Sequence, residues 1–223
     1  MSRRSRILGA LAITGGLLAG LASPGGAAPA AGSADLARYR DAHVTLAGGE
    51  FAHAQVAFEA LPDDFVLADY AAFYAAESLL RGGGGPAALD RLRAFPDRFA
   101  DSVLVPVALL AAHDTAFALG RWGEAEREAR RFLARAPSHP EAGRILVRLA
   151  EARAAQGQVA EAVADLRRRW LEAPATPWGE AARDTMEDLA RRHGLAVPPF
   201  SAEEQYQQAV RLIDASEFTG AAA

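Results

Sequence analysis

Small and apolar residues recur along the chain at a fixed interval. Glycines at four positions and alanines at three lie 37 residues apart, and two pairs of prolines keep the same step. The positions are Gly83, Gly120, Gly157 and Gly194; Ala88, Ala125 and Ala162; Pro137 and Pro174; and Pro140 and Pro177. Because four kinds of position keep one phase, the chain contains an internal repeat of 37 residues.

Each repeat unit predicts a pair of helices, A and B. Glycine tolerates the left-handed conformation at a helix C-terminus and therefore ends helix A. Proline in the following loop ends helix B and begins the next helix A, where its missing N–H is not needed. In the clearest copy, Trp122 is expected to fill the gap between helices A and B, and the small Ala125 to let them cross closely.

The same pattern gives the extent of every helix. The predicted helices cover residues 34–48, 51–60, 66–81, 86–99, 105–119, 122–135, 141–156, 159–172, 178–193 and 202–215. Residues 49–54 are an earlier copy of the turn, and residues 216–221 are a later, imperfect copy. Residues 196–199 break the phase, so a loop is expected to replace one helix B there. The predicted fold is an all-α solenoid of helix pairs.

Composition and charge exclude several classes of function. Hydrophobic residues make up 51% of the 223 residues and aromatic residues 8%, and the abundant alanine favours closely packed helices over sheets. The net charge of −4 is not the basic excess of a nucleic-acid binder. The absence of cysteine excludes disulfides, thiol catalysis and most zinc sites, and no motif indicates a cofactor.

The first thirty residues have the three-part layout of a secretory signal peptide. Arg3, Arg4 and Arg6 precede an apolar run over residues 7–22, and small residues then end in an A-x-A pattern at residues 28–30. The run is short for a spanning helix and is interrupted by glycine, although a retained anchor is the alternative. Cleavage would leave residues 31–223, which are predicted to be periplasmic, to have no stable membrane span and to carry a net charge of −4 − 3 = −7.

The C-terminal residues predict a solenoid that is cut short. In the imperfect copy of the turn, Phe218 would begin a helix B that stops at Ala223 after barely one turn. The preceding helix would then be uncovered, whereas solenoid ends normally carry a polar capping element. Residues 31–223 are therefore expected to be a truncated array with a loosely held C-terminus.

The repeat unit resembles the tetratricopeptide repeat. Its turn reads glycine, any residue, an aromatic residue, two further residues and alanine. A proline follows the alanine by twelve positions, from Ala125 to Pro137 and from Ala162 to Pro174. The period of 37 exceeds the length of about 34 usual for that family, which implies slightly longer loops or helices.

Three segments look like one particular family, the soluble lytic murein transglycosylases. Residues 67–79 resemble the helix that opens their superhelical domain, residues 166–174 a recurrent segment with Trp-Leu, Glu and Pro, and residues 201–204 the start of a later helix. The resemblance covers about residues 34–223. It implies a helical horseshoe of the kind that precedes a lysozyme-like catalytic domain in the periplasm. The sequence contains no counterpart of that catalytic domain.

The resemblance therefore implies a scaffold in peptidoglycan turnover and transfers no catalytic residue. The alternative is a free-standing periplasmic adaptor that holds envelope-assembly proteins together. In either case the expected partner is a periplasmic protein or peptidoglycan. A small-molecule enzyme has no support from any pair of residues.

Other candidate sites are explained by the fold. The glycine-rich residues 82–85 lack a following Lys-Ser or Lys-Thr and are expected to form a turn between helices A and B. The histidines have no metal-ligand spacing, and His113 is expected to be a core residue. The basic run 167–169 is predicted to be a solvated helix surface. Glu77 and Ser78 match the Glu-Ser that carries the catalytic acid in the transglycosylases, but the Gly-Leu-Met-Gln that follows it there is missing.

One candidate site remains. Glu77, Asp114, Glu151 and Asp188 lie 37 residues apart on successive A helices and form a column of carboxylates. In tetratricopeptide arrays this position faces the concave groove. The acids either serve only solubility or orient a cationic partner. As solvent-facing groups they are expected to keep pKa values near the reference values.

Overall fold

The structure, a computed structural model, describes the backbone of residues 31–221 and the side chains of residues 32–215. The segment 1–30, predicted to be a signal peptide, lies outside the described residues. Within the described part the chain forms ten α-helices and no strand. They are α1 (Ala31–Ala47), α2 (Phe51–Glu59), α3 (Ala68–Arg81), α4 (Gly85–Arg98), α5 (Val105–Ala118), α6 (Trp122–Arg135), α7 (Ala142–Ala155), α8 (Val159–Glu172), α9 (Pro177–His193) and α10 (Ala202–Ala221).

The helices confirm the predicted all-α solenoid of A–B pairs. Helices α1 to α9 begin and end within three residues of their predicted positions. Each of them packs against its neighbour along the chain, and α7 also packs against α9. The odd-numbered helices up to α9 are therefore A helices and the even-numbered helices up to α8 are B helices. Their shared surfaces form three successive apolar clusters along the array.

The repeating glycines and alanines have the predicted roles. A positive φ angle occurs at Gly49, Gly83, Gly120, Gly157 and Gly194, each at the end of an A helix. The repeat alanines Ala88, Ala125 and Ala162 are each fully buried. Trp122 packs edge-on against Phe117 with ring centroids 5.1 Å apart, so it fills the gap between α5 and α6 as predicted.

We expect Ala125→Leu to lower the free energy of unfolding by about 1–3 kcal/mol, because the added atoms overpack the crossing of α5 and α6. The crossing is tight, since the buried ring of His113 lies 2.9 Å from the Ala125 carbonyl oxygen. Urea denaturation followed by circular dichroism measures the change. Ala134→Leu on the exposed side of the same helix is the control. Equal stability of the two variants would contradict the predicted register.

Helix α9 ends the regular packing. In α7, Val147, Ala150 and Ala154 are buried; the residues 37 positions later in α9 are Asp184, Glu187 and Arg191, and all three are exposed. A helix B packed on this surface would bury three charged groups, which is costly unless each is paired. Residues 195–201 instead form a loop, and α10 packs against α8. The prediction that a loop replaces one helix B is confirmed.

The predicted turn at residues 216–221 is wrong. Helix α10 continues through Ala221, so Phe218 does not begin a new helix. Glycine inside a helix costs only about 1 kcal/mol, and no proline follows residue 199 to end the helix. The predicted truncation relied on that turn, and it stays a prediction without this support.

Candidate binding surface on the A helices

Four equivalent positions on each of α3, α5, α7 and α9 form one surface, the A-helix face. Its residues are Tyr70, Tyr74, Glu77 and Arg81 on α3; Val107, Ala111, Asp114 and Ala118 on α5; Arg144, Arg148, Glu151 and Ala155 on α7; and Ala181, Thr185, Asp188 and Arg192 on α9. Positions four, seven and eleven apart lie on one side of a helix. All of these residues are partly or fully exposed.

An ion pair with two hydrogen bonds joins two A helices across the face. Arg144 of α7 donates two hydrogen bonds to the Asp114 carboxylate of α5, at 2.8 and 3.0 Å. It also donates to Glu141. Burial works against the charge of Arg144, but the hydrogen bonds to Asp114 and Glu141 outweigh it and raise the pKa of the guanidinium. Asp114 is therefore already paired with an arginine of the same chain.

The other acids also have arginine neighbours. Glu77 lies 3.8 Å from Arg81, and Glu151 lies 3.8 Å from Arg148. Asp188 accepts a hydrogen bond from Arg191 at 2.7 Å and pairs with Arg192. The positive charge of Arg192 on α9 also acts on the Glu151 carboxylate of α7. The acids of α7 and α9 therefore lie on one surface.

Three of the four acids have pKa values that differ from the expected reference values. The hydrogen bond from Arg191 and the charge of Arg192 lower the pKa of Asp188. Burial raises the pKa of Glu77 against the opposing charge of Arg81. Burial likewise raises the pKa of Glu151 against Arg148 and Arg192. The expectation that water would hold these values near the reference was wrong, because packing between adjacent A helices removes part of the hydration of Glu77 and Glu151, and arginines pair with Asp188.

The A-helix face is balanced in charge. Its four carboxylates are matched by four arginines, Arg81, Arg144, Arg148 and Arg192. A purely acidic groove would attract any basic partner, whereas a balanced face favours a partner with groups of both signs. Whether the four acids bind a partner stays a prediction.

The sequence interpretation did not single out Arg148. Its guanidinium lies over the Phe117 ring, 4.4 Å from the ring centroid, and its side chain is 27% exposed. Its one ion pair among residues 32–215 is the long contact with Glu151. The repeat contains a signal for this residue, because Arg144 and Arg148 follow Tyr70 and Tyr74 by two full periods.

The remaining sequence candidates have structural roles. The Ser78 hydroxyl is buried and donates to the Tyr74 carbonyl oxygen at 2.7 Å, so it is not available beside Glu77. Residues 82–84 form the expected turn between α3 and α4, and Gly85 begins α4. His113 is fully buried, as expected of a core residue. Within the described residues, no group of three or more acidic or histidine side chains could hold a metal ion.

The prediction of a solvated surface at residues 167–169 was wrong in part. Arg168 is exposed and pairs with Asp165. Arg167 is only 15% exposed, because the loop 195–201 and α10 cover it, and it donates to Pro198, Pro199 and Glu204. The sequence signal for this contact is weak, since it depends on the loop that breaks the repeat.

No helix of the described part is long and apolar enough to cross a membrane.

His113 predicts a loss of stability in mild acid. Burial lowers its pKa, although the Ala125 carbonyl and Asp114 favour the charged ring, while Arg144 and Arg148 oppose it. Below an unfolded-state pKa of about 6.5 the unfolded chain binds more protons, so stability falls as pH falls from neutral, by up to about 1.4 kcal/mol per pH unit. We expect His113→Gln to reduce this slope between pH 7.5 and 5.5 in urea denaturation. His53→Gln at an exposed position is the control, and an equal slope in both variants would contradict the prediction.

Comparison with known proteins supports the fold. No family model matches the chain, and no curated protein matches it. The solved structures that match include two crystal structures of a Podosopora anserina protein described as a kinesin light chain with nearly identical TPR-like repeats. One, a single-substitution variant, has a TM-score of 0.56 and 18% identity and covers 84% of this chain and 98% of that chain. The other has a TM-score of 0.56 and 18% identity and covers 83% of this chain and 97% of that chain. Identity at this level shows the fold alone, and the repeat and the fold together define a tetratricopeptide-like α-solenoid.

Proposed function

We propose that the protein is a helical-repeat scaffold that binds a protein or peptide partner on its A-helix face. The observation that carries this proposal is the arrangement around Arg148. Its guanidinium lies over the Phe117 ring, and its only ion pair in the described chain is a contact of 3.8 Å. On the neighbouring helix α5 the face has only small side chains beside Asp114, which leaves room for an incoming peptide. A carboxylate of a partner would find a preoriented bidentate donor there.

We further propose that this scaffold acts in the cell envelope, in peptidoglycan turnover. The layout of residues 1–30 supports export, and the resemblance of residues 67–79 and 166–174 to the superhelical part of soluble lytic murein transglycosylases supports the peptidoglycan context. Stem peptides of peptidoglycan carry both carboxylates and amino groups. Their mixed charge suits a face that carries four arginines and four carboxylates.

The alternative function is a periplasmic adaptor for proteins of envelope assembly. The same face supports it, because apolar and charged groups side by side are typical of protein interfaces. The two functions differ in their ligand: purified peptidoglycan sacculi should bind the scaffold of the first kind and not the adaptor.

Sedimentation with purified sacculi tests the proposal. We expect the chain to pellet with sacculi, and Arg148→Gln combined with Glu151→Gln to weaken this binding several-fold. Arg168→Gln, at an exposed position on α8, is the matched control and should leave binding unchanged. If sacculi do not bind, photo-crosslinkers at Ala118 and Ala155 of the face should capture a protein, and that result would favour the adaptor. Failure of both experiments would refute a function for this face.

We expect no release of soluble muropeptides from the sacculi by the chain. Glycoside cleavage needs a carboxylic acid placed against the leaving oxygen inside a sugar-binding cleft. Glu77 has a raised pKa, but its neighbours are Arg81 on the same helix and the committed Ser78. A zymogram is the measurement. Lytic activity that disappears in Glu77→Gln would show that the Glu-Ser pair is catalytic.

A further inference from the structure

Helix α10 has its polar and apolar sides reversed relative to the array. Of the four described side chains of α10 that are partly buried, three are polar: Glu204, Gln208 and Arg211. Arg167 donates to the Glu204 carboxylate at 3.0 and 3.3 Å, and Arg211 donates to the Leu171 carbonyl oxygen. The hydrogen bonds from Arg167 and the Ser201 backbone lower the pKa of Glu204 to about 2. The helix is therefore held to α8 by polar contacts that persist in mild acid.

The opposite side of α10 is apolar and exposed. Tyr206, Ala209 and Val210 lie three and four residues apart and form a stripe, the α10 outer face. The exposed fraction is 67% for Tyr206 and 37% for Val210, and Leu212 at the edge of the stripe is 45% exposed. A surface helix normally turns such a stripe to the core, so an outward stripe indicates an interaction surface.

The charges beside the α10 outer face are acidic. Glu203 and Asp214 are eleven residues apart, which places both on the same side of the stripe, and both are exposed. The basic residue Arg211 lies on the inner side, where it is engaged with α8. Two copies of α10 packed antiparallel through this face would bring the two acidic edges together. This repulsion disfavours such a self-association and favours a basic partner.

We propose that the α10 outer face docks an amphipathic helix of a partner protein whose apolar stripe is flanked by lysine or arginine. The apolar stripes of the two helices pack together, and the basic flank pairs with Glu203 and Asp214. The surface is separate from the A-helix face, so it gives the scaffold a second, independent docking site.

Two synthetic peptides of equal length and helicity test the proposal. They share a leucine stripe and differ only in flanks of lysine or glutamate. We expect the lysine peptide to bind the full chain at least tenfold more tightly in fluorescence anisotropy. The double variant Tyr206→Gln, Val210→Gln should bind the lysine peptide at least tenfold more weakly. The control double variant Val56→Gln, Val66→Gln, at exposed sites outside α10, should bind it unchanged. Glu203→Lys with Asp214→Lys should reverse the preference.

Three outcomes would overturn the proposal: equal binding of the two peptides, binding of neither, and a dimer of the chain. Equal binding of both peptides, or no binding of either, would exclude recognition by charge. Light scattering that shows a dimer, lost in the Tyr206 and Val210 variant, would assign the α10 outer face to a second copy of the chain. Arg148→Gln should leave peptide binding unchanged, so failure at the A-helix face and failure at α10 are distinguishable. Unchanged thermal unfolding of each variant shows that the fold is retained.

Discussion

Gly179→Ala is expected to lower the free energy of unfolding by about 3 kcal/mol, at the upper end of the range for overpacking. A Cβ atom at this position would lie 1.9 Å from the carbonyl oxygen of Ala173 and 2.8 Å from its carbonyl carbon. A backbone carbonyl cannot rotate away as a side chain can, so the start of α9 must move from the end of α8. The move would also break the cap of α9, in which Gly179 N–H donates to the Thr176 hydroxyl at 3.0 Å. The gain of about 1 kcal/mol from alanine in a helix does not offset these losses.

Gly123→Ala is the matched control, since Gly123 also lies in the first turn of a helix. Its Cβ would lie 3.4 Å from the Gln156 side-chain oxygen, an ordinary contact with a flexible group. We expect this variant to be unchanged or more stable by up to about 1 kcal/mol. Urea denaturation of both variants measures the difference. If Gly179→Ala were as stable as Gly123→Ala, α9 would not be docked on α8 as closely as the structure places it.

The helix pairs could be predicted from the sequence because their signals are local. A positive φ at Gly120 and a small side chain at Ala125 are requirements of one turn and one crossing, and they return every 37 residues. The sequence also placed the four acids at one repeat position. The repeat pattern does not predict the need for glycine at 179, because the equivalent position in α7 is Ala142, which is tolerated there. That need depends on how closely α8 and α9 approach.

The partners of the acids could not be predicted, since they depend on contacts between helices. Arg144 reaches Asp114 from 30 residues away, and nothing in either local sequence indicates the pair. The prediction for the end of the array was wrong for a different reason. The residues around Phe218 resemble the turn motif, but Ser216 stands where the other copies have the glycine that ends helix A, so α10 continues. Burial, which sets the pKa values of Glu77 and Glu151, likewise follows from packing.

Glu128→Ala is expected to lower the free energy of unfolding by about 3 kcal/mol, the lower end of the range for breaking a buried ion pair. The Glu128 side chain is fully buried on α6, and three arginines surround it. Arg131 lies 3.0 Å from the carboxylate, Arg93 of α4 lies 3.3 Å away, and Arg127 lies 3.4 Å away. Removal of the carboxylate leaves these cations without their shared counter-charge. The buried Nε of Arg93 has no other partner within the described chain.

The expected loss in the free energy of unfolding stays at the lower end of that range because the arginines retain access to water. The side chains of Arg93 and Arg131 are 32% and 34% exposed, so part of their charge is solvated after the change. Glu161→Ala at an exposed position of α8 is the control and should change stability by less than about 0.5 kcal/mol. Glu128→Gln keeps the shape and one acceptor oxygen, so its loss should lie between the two. Unfolding in urea at low and high salt completes the test, because a buried pair is screened less than an exposed one. A loss for Glu128→Ala that vanishes in high salt would mean that water reaches this carboxylate and that α4 and α6 are not joined through it.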